Sequence, residues 1–247
     1  MNEKASMRAR GFMALWLALG CGPAAENAGA TGPPAEAALA PFSARYGAEW
    51  KSIEVGTSDL KLEPDATAGT YSYTWTMTAR GVFRLAYSSD VIQKSWFSVL
   101  DGHVRPAKYH AEEGASAVDI DFEWTTGHAR GVAEKKPVEL NIAEGTQDLL
   151  SIQIEVMLDL KNGNLPKTFR ILDKDTVKDF VYTEEGPARI RTALGRLDTL
   201  VVSSRRTGND RVLRMWFAPS LGFVPVQAER LRDGKLEFAM RIKSLQR

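Results

Sequence analysis

A nucleophile needs a base to activate it, and the imidazoles on offer are His103, His110 and His128. None of them stands in a hydrolase motif, the glycine-framed serine of a nucleophile elbow is absent, and no glycine-rich phosphate loop occurs. A zinc site on a strand would use ligands two residues apart, which share a face. His103 and His110 are an odd number of positions apart and are expected on opposite faces. Asp119, Asp121 and Glu123 do share a strand face, but their alternation with Val118, Ile120 and Phe122 reads as the solvated side of that strand rather than an ion site. No metal, no cofactor and no enzymatic activity is expected.

Two other groups could bind rather than react. Arg189, Arg191, Arg205, Arg206, Arg211 and Arg214 crowd a segment that, with Arg196, holds only Asp198 and Asp210 in opposition, and such a patch can meet an anionic partner. Carboxylates on adjacent strands would quench it. Tyr73, Trp75, Trp96, Phe122, Trp124, Met157 and Trp216 are large enough to line a pocket for a lipid or other apolar small molecule, if they converge on a concave surface rather than pack as plain core.

The elements that must position these residues are mostly strands. Residues 71–77 alternate aromatic or apolar side chains with hydroxylic ones, and 118–124 and 236–242 repeat the period of two. Asp101-Gly102 and Asp233-Gly234 supply the positive φ of tight hairpin turns, and Glu113-Gly114, Thr126-Gly127 and Gly208-Asn209-Asp210 read as further reversals. One segment breaks the pattern. Thr146 can serve as N-cap and Asp148 as first-turn acid, the apolar run 149–161 follows, and Asn162-Gly163 is a C-terminal stop. The expected fold is therefore all-β: a curved antiparallel meander or incomplete β-barrel, with a sandwich as a further arrangement, and one long apolar helix (about 147–161) packed in the concave face.

Lys4, Arg8 and Arg10 precede a ten-residue apolar stretch, 11–20, which is the size of a signal-peptide core and too short to span a bilayer. Residues 1–30 read as this signal, with cleavage after the small-x-small run Ala28-Gly29-Ala30. Alternatively the signal ends before Cys21, because Ala18-Leu19-Gly20-Cys21 resembles a lipobox with its aliphatic residue displaced by one position. Cys21 would then carry the lipid. Residues 22–41, rich in Ala, Gly and Pro, read as a flexible linker, and 42–247 as a single β-rich domain. Losing residues 1–30 removes three basic and two acidic side chains and leaves 29 of each. A neutral chain has no global field to gather nucleic acid, and none is expected.

Pro41-Phe42 with Ala44 and Tyr46, the Asp101-Gly102 turn followed by Arg105-Pro106 and Tyr109, Gly145-Thr146-Gln147-Asp148, and Trp216-Phe217-Ala218-Pro219 together resemble the bacterial domain of unknown function 3108 family over nearly all of residues 41–247. The resemblance implies an exported β-rich envelope protein and carries over no active-site residue. The expected function is binding in the periplasm, or at a membrane through a lipid on Cys21. The ligand is a lipid or other apolar molecule; the alternative is an envelope protein partner recruited through a strand edge or the arginine face.

Overall fold

The computed structural model describes residues 39–247 apart from 68 and 87. The export signal, Cys21 and all but the last three residues of the 22–41 linker lie outside the described residues. What is described belongs to one contact-rich unit, Glu36–Arg247.

The alternation seen in the sequence becomes strands β1 (Phe42–Trp50), β2 (Ile53–Pro64), β3 (Thr70–Ala79), β4 (Val91–Leu100), β5 (His103–Glu113), β6 (Ser116–Glu123), β7 (His128–Ala133) and β8 (Lys136–Asn141). A four-residue helix, α1 (Phe83–Ala86), interrupts the run between β3 and β4. Then come the two-residue β9 (Gln147–Asp148), helix α2 (Ser151–Asn162), and β10 (Thr168–Asp173), β11 (Thr176–Thr192), β12 (Gly195–Arg206), β13 (Arg211–Ala218), β14 (Val224–Arg232) and β15 (Lys235–Gln246). Asp101 and Gly102 take φ of 52° and 81°, and Asp233 and Gly234 take 49° and 72°, so both pairs form the expected left-handed hairpin turns.

All fifteen strands form one sheet, in the order β8-β7-β6-β5-β4-β3-β2-β1-β15-β14-β13-β12-β11-β10-β9. Two meanders therefore run outward from a central seam where the first strand pairs antiparallel with the last, Ala44 opposite Leu245 and Tyr46 opposite Ile242. Among the described residues only β9 and β10 pair in parallel, because α2 carries the chain back between them.

Chain connectivity dictates the curvature. Laid flat, fifteen strands would put the β8 and β9 edges about 65 Å apart, yet residues 142–146, which join them, reach about 20 Å at full extension. The sheet must curl until its two edges approach. Side chains rather than a backbone ladder bridge the gap: Gln147 Nε2 donates to the Val104 carbonyl of β5 at 2.8 Å, and Lys174, in the β10–β11 turn, pairs with Glu134, in the β7–β8 turn. The sheet stays open.

Helix α2 occupies the inside of this curl. Gln153 accepts the Tyr73 hydroxyl of β3 and approaches Met215 Sδ of β13 at 3.6 Å, although these strands are five places apart in the sheet. Ile152, Ile154, Val156, Met157 and Leu160 join Phe42, Tyr46, Phe97 and Ile120 of one meander and Leu172, Tyr182 and Phe217 of the other in one core.

The long helix over 147–161 is not found; α2 has twelve residues and begins at Ser151. Two side chains move its start. Gln147, drawn to Val104, enters the sheet as β9. Asp148 Oδ1 then accepts the N–H groups of Leu150 and Ser151 at 2.8 and 2.7 Å, which opens the helix after it. Thr146 does not cap, since its hydroxyl donates to the Ala143 carbonyl at 2.7 Å. Gly163, at φ 68°, ends the helix as the sequence suggests. No helix among the described residues is long and apolar enough to cross a membrane.

Candidate functional site

The buried face of α2 is not wholly apolar. Glu155 and Asp159 are four positions apart, so they sit one above the other on the same face, and both are buried. The Asp101-Gly102 turn starts β5 at His103, directly beneath them. Glu155 Oε2 accepts the Val104 N–H at 2.5 Å, while Oε1 lies 2.7 Å from His103 Nδ1. Asp159 Oδ2 is buried and has no hydrogen-bond partner. One ligating atom from each of the three residues falls within 4.8 Å of the others.

This cluster is sealed on the helix side and open on the other. The His103 side chain is 67% exposed against 7% for Glu155, and it borders an open depression of about 400 Å³ whose wall includes Glu144, Gly145, Phe169 and Arg170. The electrostatics follow from that placement. Its hydrogen bond to Glu155 raises the His103 pKa above the ordinary imidazole value, against a smaller opposing effect of desolvation. Burial, and then the charge of Glu155, push Asp159 up to about 7, with His103 pulling the other way. Asp148, farther up the chain, also has a raised pKa from burial, opposed by the hydrogen bonds of Ser95, Ser151 and Leu150.

Sequence spacing missed this cluster because its members come from β5 and α2, more than fifty residues apart. The legible signal was the E-x-x-x-D pair inside a helix whose other faces are apolar. The histidine contrast is also visible: His110 pairs with Asp119 at 2.8 Å and with Glu112 at 3.3 Å, away from His103.

The aromatic set does not converge on the depression. Tyr73, Phe122 and Met157 are buried in the core, Phe122 stacked on the half-buried Trp124 at 5.8 Å. Trp75 donates to Ser58 Oγ at 2.5 Å, Trp124 donates to the Pro106 carbonyl at 2.6 Å, and Trp216 packs against the core edge. Trp96 lies outside the core, under Lys94 and Lys108 at 4.6 and 5.9 Å.

The arginine set divides. Arg189 is held by Asp198, opposite it on the antiparallel neighbour, at 2.6 and 3.1 Å, and Arg214 by Glu185, two strands away, at 2.8 Å. Arg191, Arg205, Arg206 and Arg211 have no ion pair among the described residues. Arg206 and Arg211 flank the β12–β13 turn. At the same end of the sheet the β14–β15 turn, the β1–β2 turn and α1 follow in sheet order. Those last two leave Trp50, Ile53, Val82 and Leu85 exposed, Leu85 by 88%.

An all-β chain with one open fifteen-stranded sheet curled about a short buried helix is the class these features define. The chain belongs to the family described as "Protein of unknown function (DUF3108)", whose model matches residues 42–241. Among solved structures it is similar to a "putative exported protein with YmcC-like fold" from Bacteroides fragilis, with 6% identity and a TM-score of 0.35 over 83% of this chain and 95% of that one. It is also similar to a "putative lipoprotein" from Parabacteroides distasonis, with 9% identity and a TM-score of 0.32 over 84% and 96% of the two chains. No curated protein matches it.

Proposed function

We propose that this is an exported envelope protein without catalytic activity that works by recruiting an acidic protein partner through one rim of its curled sheet. The observation that carries the reading is where apolar surface lies. Tyr73, Ile154, Val156 and Phe217 are fully buried, so the space between helix and sheet that a lipid would need is filled by side chains. Trp50, Ile53, Val82 and Leu85, by contrast, remain in water on neighbouring turns. Contiguous apolar exposure marks interaction sites. Tryptophan and arginine are the residue types that dominate binding energy at interfaces, and Arg206 and Arg211, without ion pairs at the same end of the sheet, favour a partner with carboxylates around a hydrophobic groove. Export rests on the basic and apolar pattern of residues 1–30.

Photo-crosslinking in cells from a reactive side chain at Ile53 tests the reading. One dominant protein adduct is expected, lost in a Trp50→Ala, Arg211→Glu double variant and retained in Arg189→Glu, whose arginine is already paired. An adduct pattern indifferent to the double change would overturn it. So would sedimentation of the purified protein with anionic vesicles in the absence of any protein adduct, since the rim would then meet lipid.

A further inference from the structure

The His103, Glu155 and Asp159 cluster sits at the opposite end of the sheet from the rim, and one of its two acids has a buried oxygen that no group of the protein bonds. Two carboxylates one helical turn apart repel each other, and the nearer imidazole bonds only Glu155. Asp159 Oδ2 is left in the interior with no donor, and its residue is only 4% exposed. A buried carboxylate oxygen ordinarily has a partner, because leaving it bare carries the full cost of its lost hydration. No lysine or arginine ion-pairs with either acid among the described residues.

We propose that His103, Glu155 and Asp159 bind a divalent transition cation, of the class of Zn2+ or Mn2+, at the inner end of the depression. The donor set favours that class. One imidazole nitrogen and two carboxylates suit borderline cations, whereas a calcium ion wants six to eight oxygens and finds only these two acids. The arrangement is also prepared for it. The Val104 N–H holds Glu155 Oε2, which orients the carboxyl group and leaves Oε1 facing His103. The exposed imidazole can turn so that its Nδ1 and that oxygen share an ion rather than a proton. The atoms already lie within 4.8 Å, so small side-chain rotations bring them to coordinating distance. Three protein ligands with an open side toward Glu144 and Gly145 leave a position for water. The cation would satisfy the bare oxygen of Asp159 and remove the repulsion between the two acids. The proposal does not depend on the recruitment reading.

Equilibrium dialysis of the full chain against Zn2+ and, separately, Mn2+, with the retained metal counted by atomic emission, tests it. One ion per chain is expected. His103→Ala and Asp159→Asn should each weaken retention at least tenfold, while His110→Ala leaves it unchanged. Asp159→Asn removes a buried charge and is expected to fold, which circular dichroism checks before dialysis. Absence of retained metal in the unaltered chain overturns the proposal. So does retention by Asp159→Asn and His103→Ala as strong as that of the unaltered chain, or loss in His110→Ala alone, which would mark a surface ion on the β5–β6 face.

Discussion

Replacing Ile154 by alanine is expected to lower folding stability by about 2–5 kcal/mol, the range for truncating a large aliphatic side chain in a packed interior. Ile154 is fully buried in a helix whose neighbours come from both meanders, so the void cannot close without moving strands on two sides. The measurement is a urea denaturation series read at the midpoint, with the slope unchanged so that the shift reports stability alone. Leu149, just before the helix and 37% exposed, is the companion: its change to alanine should cost under about 1 kcal/mol. Were Ile154→Ala to cost as little as Leu149→Ala, the helix would be lining a roomy cavity rather than filling the curl.

The second large effect is expected at Asp148. This carboxylate is buried and accepts three hydrogen bonds: the Ser95 hydroxyl at 2.6 Å, and the N–H groups of Leu150 and Ser151. It thus ties the helix start to β4, across the curled sheet. Asp148→Ala leaves those three donors bare in the interior and should cost about 3–5 kcal/mol, since each buried unsatisfied group contributes roughly 1–3. Asp148→Asn keeps a carbonyl oxygen for the two backbone donors and should cost about 1 kcal/mol. Thermal or urea unfolding of the pair distinguishes them. Equal losses in both variants would mean that negative charge, not the hydrogen-bonding oxygen, is what the position requires.

Much of the architecture was legible locally. Alternation at 71–77, 118–124 and 236–242 lies within β3, β6 and β15, apart from the last residue of the second, and both Asp-Gly turns are hairpin turns. Curvature was inferred from a long meander around one apolar segment. What could not be read is the pairing of β1 with β15, because it joins residues some two hundred positions apart and leaves no local mark. The helix was read too long because Gln147 and Asp148 are compatible with a first helical turn in isolation. Only the Val104 carbonyl, brought over by the curl, draws Gln147 into the sheet.

The segments that carry the family resemblance turn out to be structural in the same sense. Tyr46 donates to the Pro225 carbonyl at 2.6 Å across the central seam, Tyr109 and Phe217 are buried, and Gln147 and Asp148 fasten the helix. Their types are dictated by closing one sheet around one helix, which explains why they contain no reactive constellation. The carboxylate pair of α2 escaped a spacing search for the opposite reason. Its third member arrives from another strand, and in a segment read as one apolar run the two acids drew no attention. They are instead on a buried face, and there they acquire chemical interest.

The inside of the curled sheet is occupied by the protein's own side chains. Native mass spectrometry of the protein purified without denaturation from the cell that makes it puts that filling to the test. The expected spectrum shows the folded polypeptide, with a divalent metal and any lipid attached covalently at Cys21, and no other mass of lipid size. A noncovalent lipid adduct that survives desolvation and disappears when Ile154 is enlarged to tryptophan would contradict the account, because that lipid would occupy the space assigned here to helix α2.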